Sequence, residues 1–212
     1  MSETTKISPI FNDMLQEYYR ENPLQFAMEK HKLQKRKYTG DPYWVHLVEV
    51  QGIAVSSYLS LNPVGYLIDT GMLKQISTIA MLHDVIEDKW ATEEEIEELY
   101  GKEILKGVLW LTDRETGNRQ ERKKQAAERI GKAPGYIQLI KLADVMSNTA
   151  SIALHDPKFA KTYLKEKEYL LECIHKSRRY TSGSLLRNSA LFFTVEQQMQ
   201  EAIHNLNQPK EN

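Results

Sequence analysis

The chain has 212 residues, long enough for one domain with a sizeable core. Its 28 Lys and Arg are balanced by 29 Asp and Glu, a formal net charge of −1, so no global field draws it to nucleic acid or to an anionic membrane surface. A single cysteine, Cys173, excludes an internal disulfide framework and fits a reducing compartment. With no basic-then-apolar leader and no apolar run of membrane-spanning length, a soluble cytoplasmic protein is expected.

Residues 1–7 are polar. Ile10, Phe11, Met14, Leu15 and Tyr18 recur at helical spacing. Pro23 separates them from a second run with Phe26, Ala27 and Lys30, which leads into the basic cluster Lys32, Lys35, Arg36 and Lys37. Thr39-Gly40-Asp41-Pro42 signals a turn. A helix is expected from near Pro42, a residue suited to a first helical position, with Tyr43, His46, Val50, Ile53 and Ala54 along one side. After a turn at Asn62-Pro63, a long helix is expected from about Asp69 to Asp88. Leu73, Ile76, Ile79 and Ala80 form its apolar stripe, and His83 and Glu87 continue it.

Thr92-Glu93-Glu94-Glu95 opens a capping box on a short helix that ends before Gly101. Ile104, Leu105, Val108 and Leu109 form the next helix. Residues 114–129 are dense in charge, with Arg114, Arg119, Arg122, Lys123, Lys124 and Arg129, and two readings stand: a solvated helix face or a basic rim for phosphates. A helix beginning between Gly131 and Gly135 carries Ile137, Ile140, Lys141, Asp144 and Asn148 to about Leu154. His155-Asp156-Pro157 breaks it; this second His-Asp pair lacks a following acidic pair and reads as a solvated turn. Two further helices, over roughly 158–176 and 184–204, precede a polar tail at 205–212. Strand-like alternation and internal repeats are both missing, so the expected fold is all-α, one bundle of about nine helices.

Ala80-Met81-Leu82-His83-Asp84-Val85-Ile86-Glu87-Asp88 is the stretch around which function is expected. On a helix, Glu87 stands above His83 and Asp88 above Asp84, because positions four apart share a face. An imidazole and carboxylates on an inward stripe are costly to bury unless something pairs with them, and a divalent cation would. His46 and Asp144 sit on apolar stripes of two other helices in the same way. Two His and two Asp make a mixed nitrogen and oxygen set, suited to a borderline ion such as Mn²⁺, Fe²⁺ or Zn²⁺. Water bound to such an ion has a lowered pKa and can attack a phosphoryl group, with Glu87 and Asp88 placed to orient it or move its proton.

The order His46, His83-Asp84, Asp144 resembles the HD phosphohydrolase superfamily. The segment from Arg36 to His46 is similar to the basic-turn-Pro-Tyr-His segment of the RelA/SpoT-type hydrolase domain. Leu82-His83-Asp84-Val85-Ile86-Glu87-Asp88 resembles that family's His-Asp-x-x-Glu-Asp motif, and Lys141-Leu142-Ala143-Asp144 with Asn148 its Lys-Leu-Ala-Asp and downstream Asn. The resemblance spans roughly residues 25–155 of what is expected to be a single HD domain over 1–212. It implies removal of the 3′-pyrophosphate from guanosine tetra- and pentaphosphate, with Mn²⁺ as the ion and a small-molecule nucleotide as the partner. The length leaves no room for a synthetase domain, as in the free-standing small alarmone hydrolases.

By the same resemblance His46, His83, Asp84 and Asp144 become metal ligands and Glu87 and Asp88 the catalytic pair. Arg36 or Lys37 would meet the guanine or its phosphates, Asn148 the ribose, and Lys141 is a further substrate-binding candidate. The chain departs from the family at Leu47 (usually Pro), at Lys89 (usually Thr) and at Val145-Met146-Ser147, where the family has a basic residue and a His before the Asn. Two rivals follow: an HD enzyme acting on another nucleotide, such as a dNTP or NADPH, and a catalytically silent nucleotide-binding regulatory module.

Overall fold

Helices begin where a side chain can accept from the free N–H groups of a first turn. The structure, a computed structural model, describes residues 22–61, 68–180 and 190–208. The expected helix around Ile10–Tyr18, the turn at Asn62-Pro63 and residues 184–189 of the last expected helix lie outside them. Asn22 caps α1 (Pro23–Lys30) by accepting from the Leu24 and Gln25 N–H groups. Two residues after Pro42, α2 (Trp44–Ser60) begins, with Pro42 spent in an isolated antiparallel bridge to Lys35. Asp69 caps α3 (Thr70–Leu82), and Thr92 caps α4 (Glu93–Tyr100), whose first turn holds Glu93, Glu94 and Glu95. Gly101, at φ 85°, separates α4 from α5 (Lys102–Leu111).

The charged stretch after α5 folds as α6 (Arg119–Gly131). Asn118 and Glu121 close a full capping box there, a signal readable in the sequence as Asn-x-x-Glu. Then come α7 (Gly135–His155), α8 (Pro157–Tyr180) and α9 (Ala190–Asn207). Among the described residues there are nine helices and no strand, as the all-α reading expected. None of these helices is long and apolar enough to cross a membrane.

Helix α7 is the centre. Eleven of its 21 residues are buried, so it is enclosed on most sides and any polar group on it needs a partner. It packs on α2, α8 and α9, while α2 also packs on α3 and α6 packs on α8. Leu47, Val50, Ile79, Leu82, Ile137, Ile140 and Leu142 are fully buried where α2, α3 and α7 meet. At the α3–α5 crossing, Gly107 admits Ile79: a Cβ at Gly107 would collide with Ile79 Cδ1.

One expectation is corrected. The helix does not run on to Asp88; it ends at Leu82, with His83 as its cap, and residues 83–89 form a series of turns. The carbonyls left free at the helix end find other donors: Ala80 O accepts from the His83 ring and Leu82 O from Val85 N–H. Trp90 and Ala91 N–H both fold back onto Val85 O, and Lys89 takes φ 63° to make the reversal. The driving gain is burial of Val85, fully enclosed in the core. One α-turn survives, because Asp88 N–H donates to Asp84 O at 2.9 Å.

The two readings of the charged stretch divide by residue. Arg122 and Lys124 are exposed on α6. Lys123 pairs with Asp113, Arg129 with Asp113 and Glu115, and Arg119 with Glu166. Lys123 and Arg129 are thus half-buried ties between α6 and the loop before it, and Arg119 ties α6 to α8 at the surface. At the second His-Asp pair the expected turn shrinks to one residue: His155 ends α7, and Asp156 alone precedes α8, accepting from Phe159 N–H and from Tyr38 Oη at 2.9 Å.

Candidate metal centre and active site

His46 stands in the first turn of α2, His83 and Asp84 at the exit of α3, and Asp144 in the middle of α7. The three elements bring them together. His46 Nε2 is 3.3 Å from Asp144 Oδ1 and 3.9 Å from Asp84 Oδ2. His83 Nε2 is 3.1 Å from Asp84 Oδ2 and 3.9 Å from Asp144 Oδ1. The two imidazoles meet edge to face, with centroids 5.4 Å apart. His46, His83 and Asp84 offer ligand atoms all within 4.8 Å of one another, a set that can hold a metal ion.

Both Nε2 atoms are buried and have no hydrogen-bond partner. Such orphans are expensive unless a further group is meant to meet them. Their Nδ1 atoms are accounted for. His83 Nδ1–H donates to Ala80 O at 2.8 Å, which in the neutral ring leaves the lone pair on Nε2, and His46 Nδ1 lies 2.9 Å from Ser147 Oγ. Two imidazole nitrogens beside two carboxylates fit a divalent ion of intermediate softness.

The carboxylates are oriented by neighbours. Asp84 Oδ2 accepts from Tyr43 Oη at 2.6 Å. Asp144 Oδ2 accepts from Lys141 Nζ at 2.7 Å, and its Oδ1 from Asn148 Nδ2 at 2.6 Å. Lys141 and Asn148, expected to meet substrate, thus each spend a donor on Asp144; the Lys141 ammonium has others to give. Burial alone would raise both aspartate pKa values. Their neighbours reverse this: His83 holds Asp84 low, and the Lys141 ammonium, with the two imidazoles, holds Asp144 well below the usual carboxylate range.

Glu87 and Asp88 differ. Burial pushes both carboxyl groups up, only partly opposed by Lys141 at Glu87 and by Gln34 at Asp88. Glu87 accepts from Asp113 N–H at 3.0 Å, and Asp88 accepts from Gln34 Nε2 at 2.7 Å. Gln34 is itself fixed, because its Oε1 accepts from Trp90 Nε1–H at 2.7 Å and lies 2.6 Å from His31 Nδ1.

Of the basic candidates, Arg36 is nearly buried, its side chain 10 % exposed, and pairs with Glu49 at 2.8 Å. Lys37 is open at 73 % and lies 3.5 Å from Asp156. Asp113, Lys123, Lys141, Glu166 and Lys167 line a small cavity beside α7. Burial, with Lys141 nearby, pulls Lys167 down to about 8. Gln34, Tyr43, Glu49 and Ser147 were not singled out as functional residues from sequence. Tyr43 and Ser147 lay inside the motif segments, and Ser147 was visible as a departure from the family pattern.

A family model for the HD domain matches residues 23–170. The chain belongs to the HD-domain family. Its HD domain is 34 % identical over 135 residues to guanosine-3′,5′-bis(diphosphate) 3′-pyrophosphohydrolase MESH1 of Drosophila melanogaster, spanning 63 % of this chain and 69 % of that protein. The MESH1 of Xenopus tropicalis is 34 % identical over 134 residues, with the same shares covered. A GTP pyrophosphokinase of Brucella melitensis, rsh, is 35 % identical over 135 residues, but the match spans 16 % of that longer protein. Among solved structures, a metazoan ortholog of SpoT that hydrolyzes ppGpp superposes with a TM-score of 0.66 at 26 % identity, covering 89 % of this chain and 96 % of that one. The protein lmo0812 of Listeria monocytogenes, at 18 % identity and a TM-score of 0.60, shares the fold. HD-domain hydrolases bind a divalent metal, and His46, His83 and Asp84 are this chain's match to that requirement.

Proposed function

We propose that this HD-domain protein is a cytoplasmic, metal-dependent hydrolase that removes the 3′-pyrophosphate of guanosine tetraphosphate. The observation that carries the reading is the pair of buried, unpartnered Nε2 atoms of His46 and His83 facing the Asp84 and Asp144 carboxylates. The substrate comes from the likeness to the MESH1 hydrolases.

His46, His83, Asp84 and Asp144 would hold the ion, with Mn²⁺ the candidate. Bound there, it supplies Lewis acidity toward phosphate oxygens and lowers the pKa of water. Glu87 and Asp88 serve as the proton-handling pair. Carboxyl groups pushed up by burial are better proton acceptors than ordinary ones, and Asp113 N–H and Gln34 hold each in place. Lys141, beside Asp144, has ammonium donors left for a phosphate oxygen. Lys167 adds a cation across the same small cavity. Arg36 and Lys37 are the candidates for the guanine or its phosphates, since a guanidinium can stack on a base or fork onto a phosphate and an ammonium acts as a point charge. Asn148 is assigned to the ribose.

Phosphate and pyrophosphate release measured across guanosine tetraphosphate, dNTPs, NADPH and GTP, each with and without Mn²⁺, tests this. Metal-dependent pyrophosphate release from guanosine tetraphosphate is expected. Turnover confined to a dNTP or NADPH would move the enzyme to another substrate, and no turnover on any would leave a nucleotide-binding module.

A further inference from the structure

We propose that Glu49 and Ser147 act as a positioning relay that fixes His46 in the tautomer able to bind a metal ion. This rests on the reading of His46 as a metal ligand and adds residues that the family motifs do not include.

The hydrogen bonds around Ser147 Oγ can be counted. A hydroxyl has one proton to give and two lone pairs. Ser147 Oγ has three polar neighbours: Glu49 Oε2 at 2.6 Å, His46 Nδ1 at 2.9 Å and Arg36 Nη1 at 3.2 Å. The Arg36 guanidinium can only donate, so it takes one lone pair. The Glu49 carboxylate, ion-paired to the same Arg36 nitrogen at 2.8 Å, can only accept, so it takes the hydroxyl proton. One lone pair remains, and His46 must donate to it from Nδ1. The lone pair of the ring is then on Nε2, the buried atom that faces Asp144.

At His83 the same result comes from a backbone carbonyl, which accepts and cannot donate. A serine alone does not have that property, because its hydroxyl can turn and donate to an imidazole. Glu49 removes the choice by holding the hydroxyl proton. The relay is also built into the ligand scaffold. Glu49 lies three residues beyond His46 on α2, and Ser147 three residues beyond Asp144 on α7, so each shares a face with a ligand. Glu49 is half exposed, with 49 % of its side chain open, and contributes little to the core. A carboxylate behind a ligating histidine orients the ring and strengthens the ligand, and losing such a partner weakens metal binding about 10–100-fold.

The deciding experiment uses the full chain with Zn²⁺, measuring affinity by competition with a chromophoric chelator. In the Zn²⁺-loaded protein, proton NMR follows the hydrogen-bonded Nδ1–H of His46. Glu49→Ala, chosen because the position is open to solvent, and Ser147→Ala are each expected to weaken Zn²⁺ at least tenfold. Each should also lose or strongly broaden the Nδ1–H resonance. Melting of the metal-free proteins provides the structural control. A lowered melting temperature with Zn²⁺ affinity within twofold of the original and an unmoved resonance, in Glu49→Ala, would overturn the relay. His46→Ala separates the two levels: if it keeps full Zn²⁺ affinity, the ligand reading itself fails, and if it loses affinity while Glu49→Ala does not, the relay alone fails.

Discussion

His83 Nε2 and Asp84 Oδ2, in adjacent residues, face each other at 3.1 Å inside a buried turn. Burial alone would lower the His83 pKa, but the Asp84 and Asp144 carboxylates outweigh it and raise the group to about 9. Below that pH the ring carries a proton on the nitrogen a metal needs. Metal binding should therefore displace a proton, and affinity should fall about tenfold per pH unit on going down from 9. Calorimetric titration at neutral pH in buffers of different ionisation enthalpy is expected to show about one proton released per ion from this site. An affinity flat between pH 6.5 and 9 would show that the facing carboxylates do not hold a proton on His83 in that range.

Asp144 is placed to complete the site, 3.3 Å from His46 Nε2, and is held by Lys141 and Asn148. The purified protein should bind about one divalent ion per chain, and Asp144→Ala should remove most of that binding. Full occupancy of Asp144→Ala by elemental analysis would show that Asp144 is not a ligand.

Glu87 accepts from the Asp113 backbone N–H at 3.0 Å. Glu87→Gln keeps the shape and removes the proton-accepting charge. Metal content should be retained while turnover falls by about 10²-fold or more, the scale of a positioned acid-base group. Unchanged turnover would take Glu87 out of the reaction.

His46, His83 and Asp144 were legible as ligand candidates because each is a polar residue in line with an apolar stripe in the sequence, and Asp84 came with the His-Asp motif. The break after Leu82 was not legible. Periodicity continues through His83 and Glu87, and the turn is decided by where Val85 can be buried and by the left-handed Lys89. The residues that orient the site were hidden for a different reason. Gln34 reaches Asp88 across 54 residues of chain, Tyr43 reaches Asp84 across 41, and Ser147 reaches His46 across 101. Such meetings depend on how α1, α2 and α7 pack, which local spacing does not encode. Helix α6 is an intermediate case: its charge left a solvated helix face and a phosphate rim both open, and the Asn118–Glu121 box marks where the helix starts.

Asp113 joins the charged loop to α6 through Lys123 and Arg129. Burial would raise its pKa, but Lys141, Lys123 and Arg129 prevail and lower it. A carboxylate with a depressed folded pKa contributes stability that is present above its unfolded pKa, about 3.9, and lost as pH falls through the folded value. Asp113→Asn should thus cost about 1–3 kcal/mol at pH 7, from the cations left unpaired. The gap between variant and original should persist to near pH 4 and close below it, as read by urea unfolding at a series of pH values. A gap that widens in acid would contradict this assignment.

The most direct measurement is product analysis on guanosine tetraphosphate with Mn²⁺. Chromatography of the quenched reaction should show GDP and pyrophosphate in equal amounts, with the 5′-diphosphate intact and no products once the metal is chelated. Orthophosphate released from the 5′-chain, or guanosine tetraphosphate left unconsumed while a dNTP yields intact triphosphate, would contradict the assignment of this HD-domain protein as an alarmone 3′-pyrophosphohydrolase.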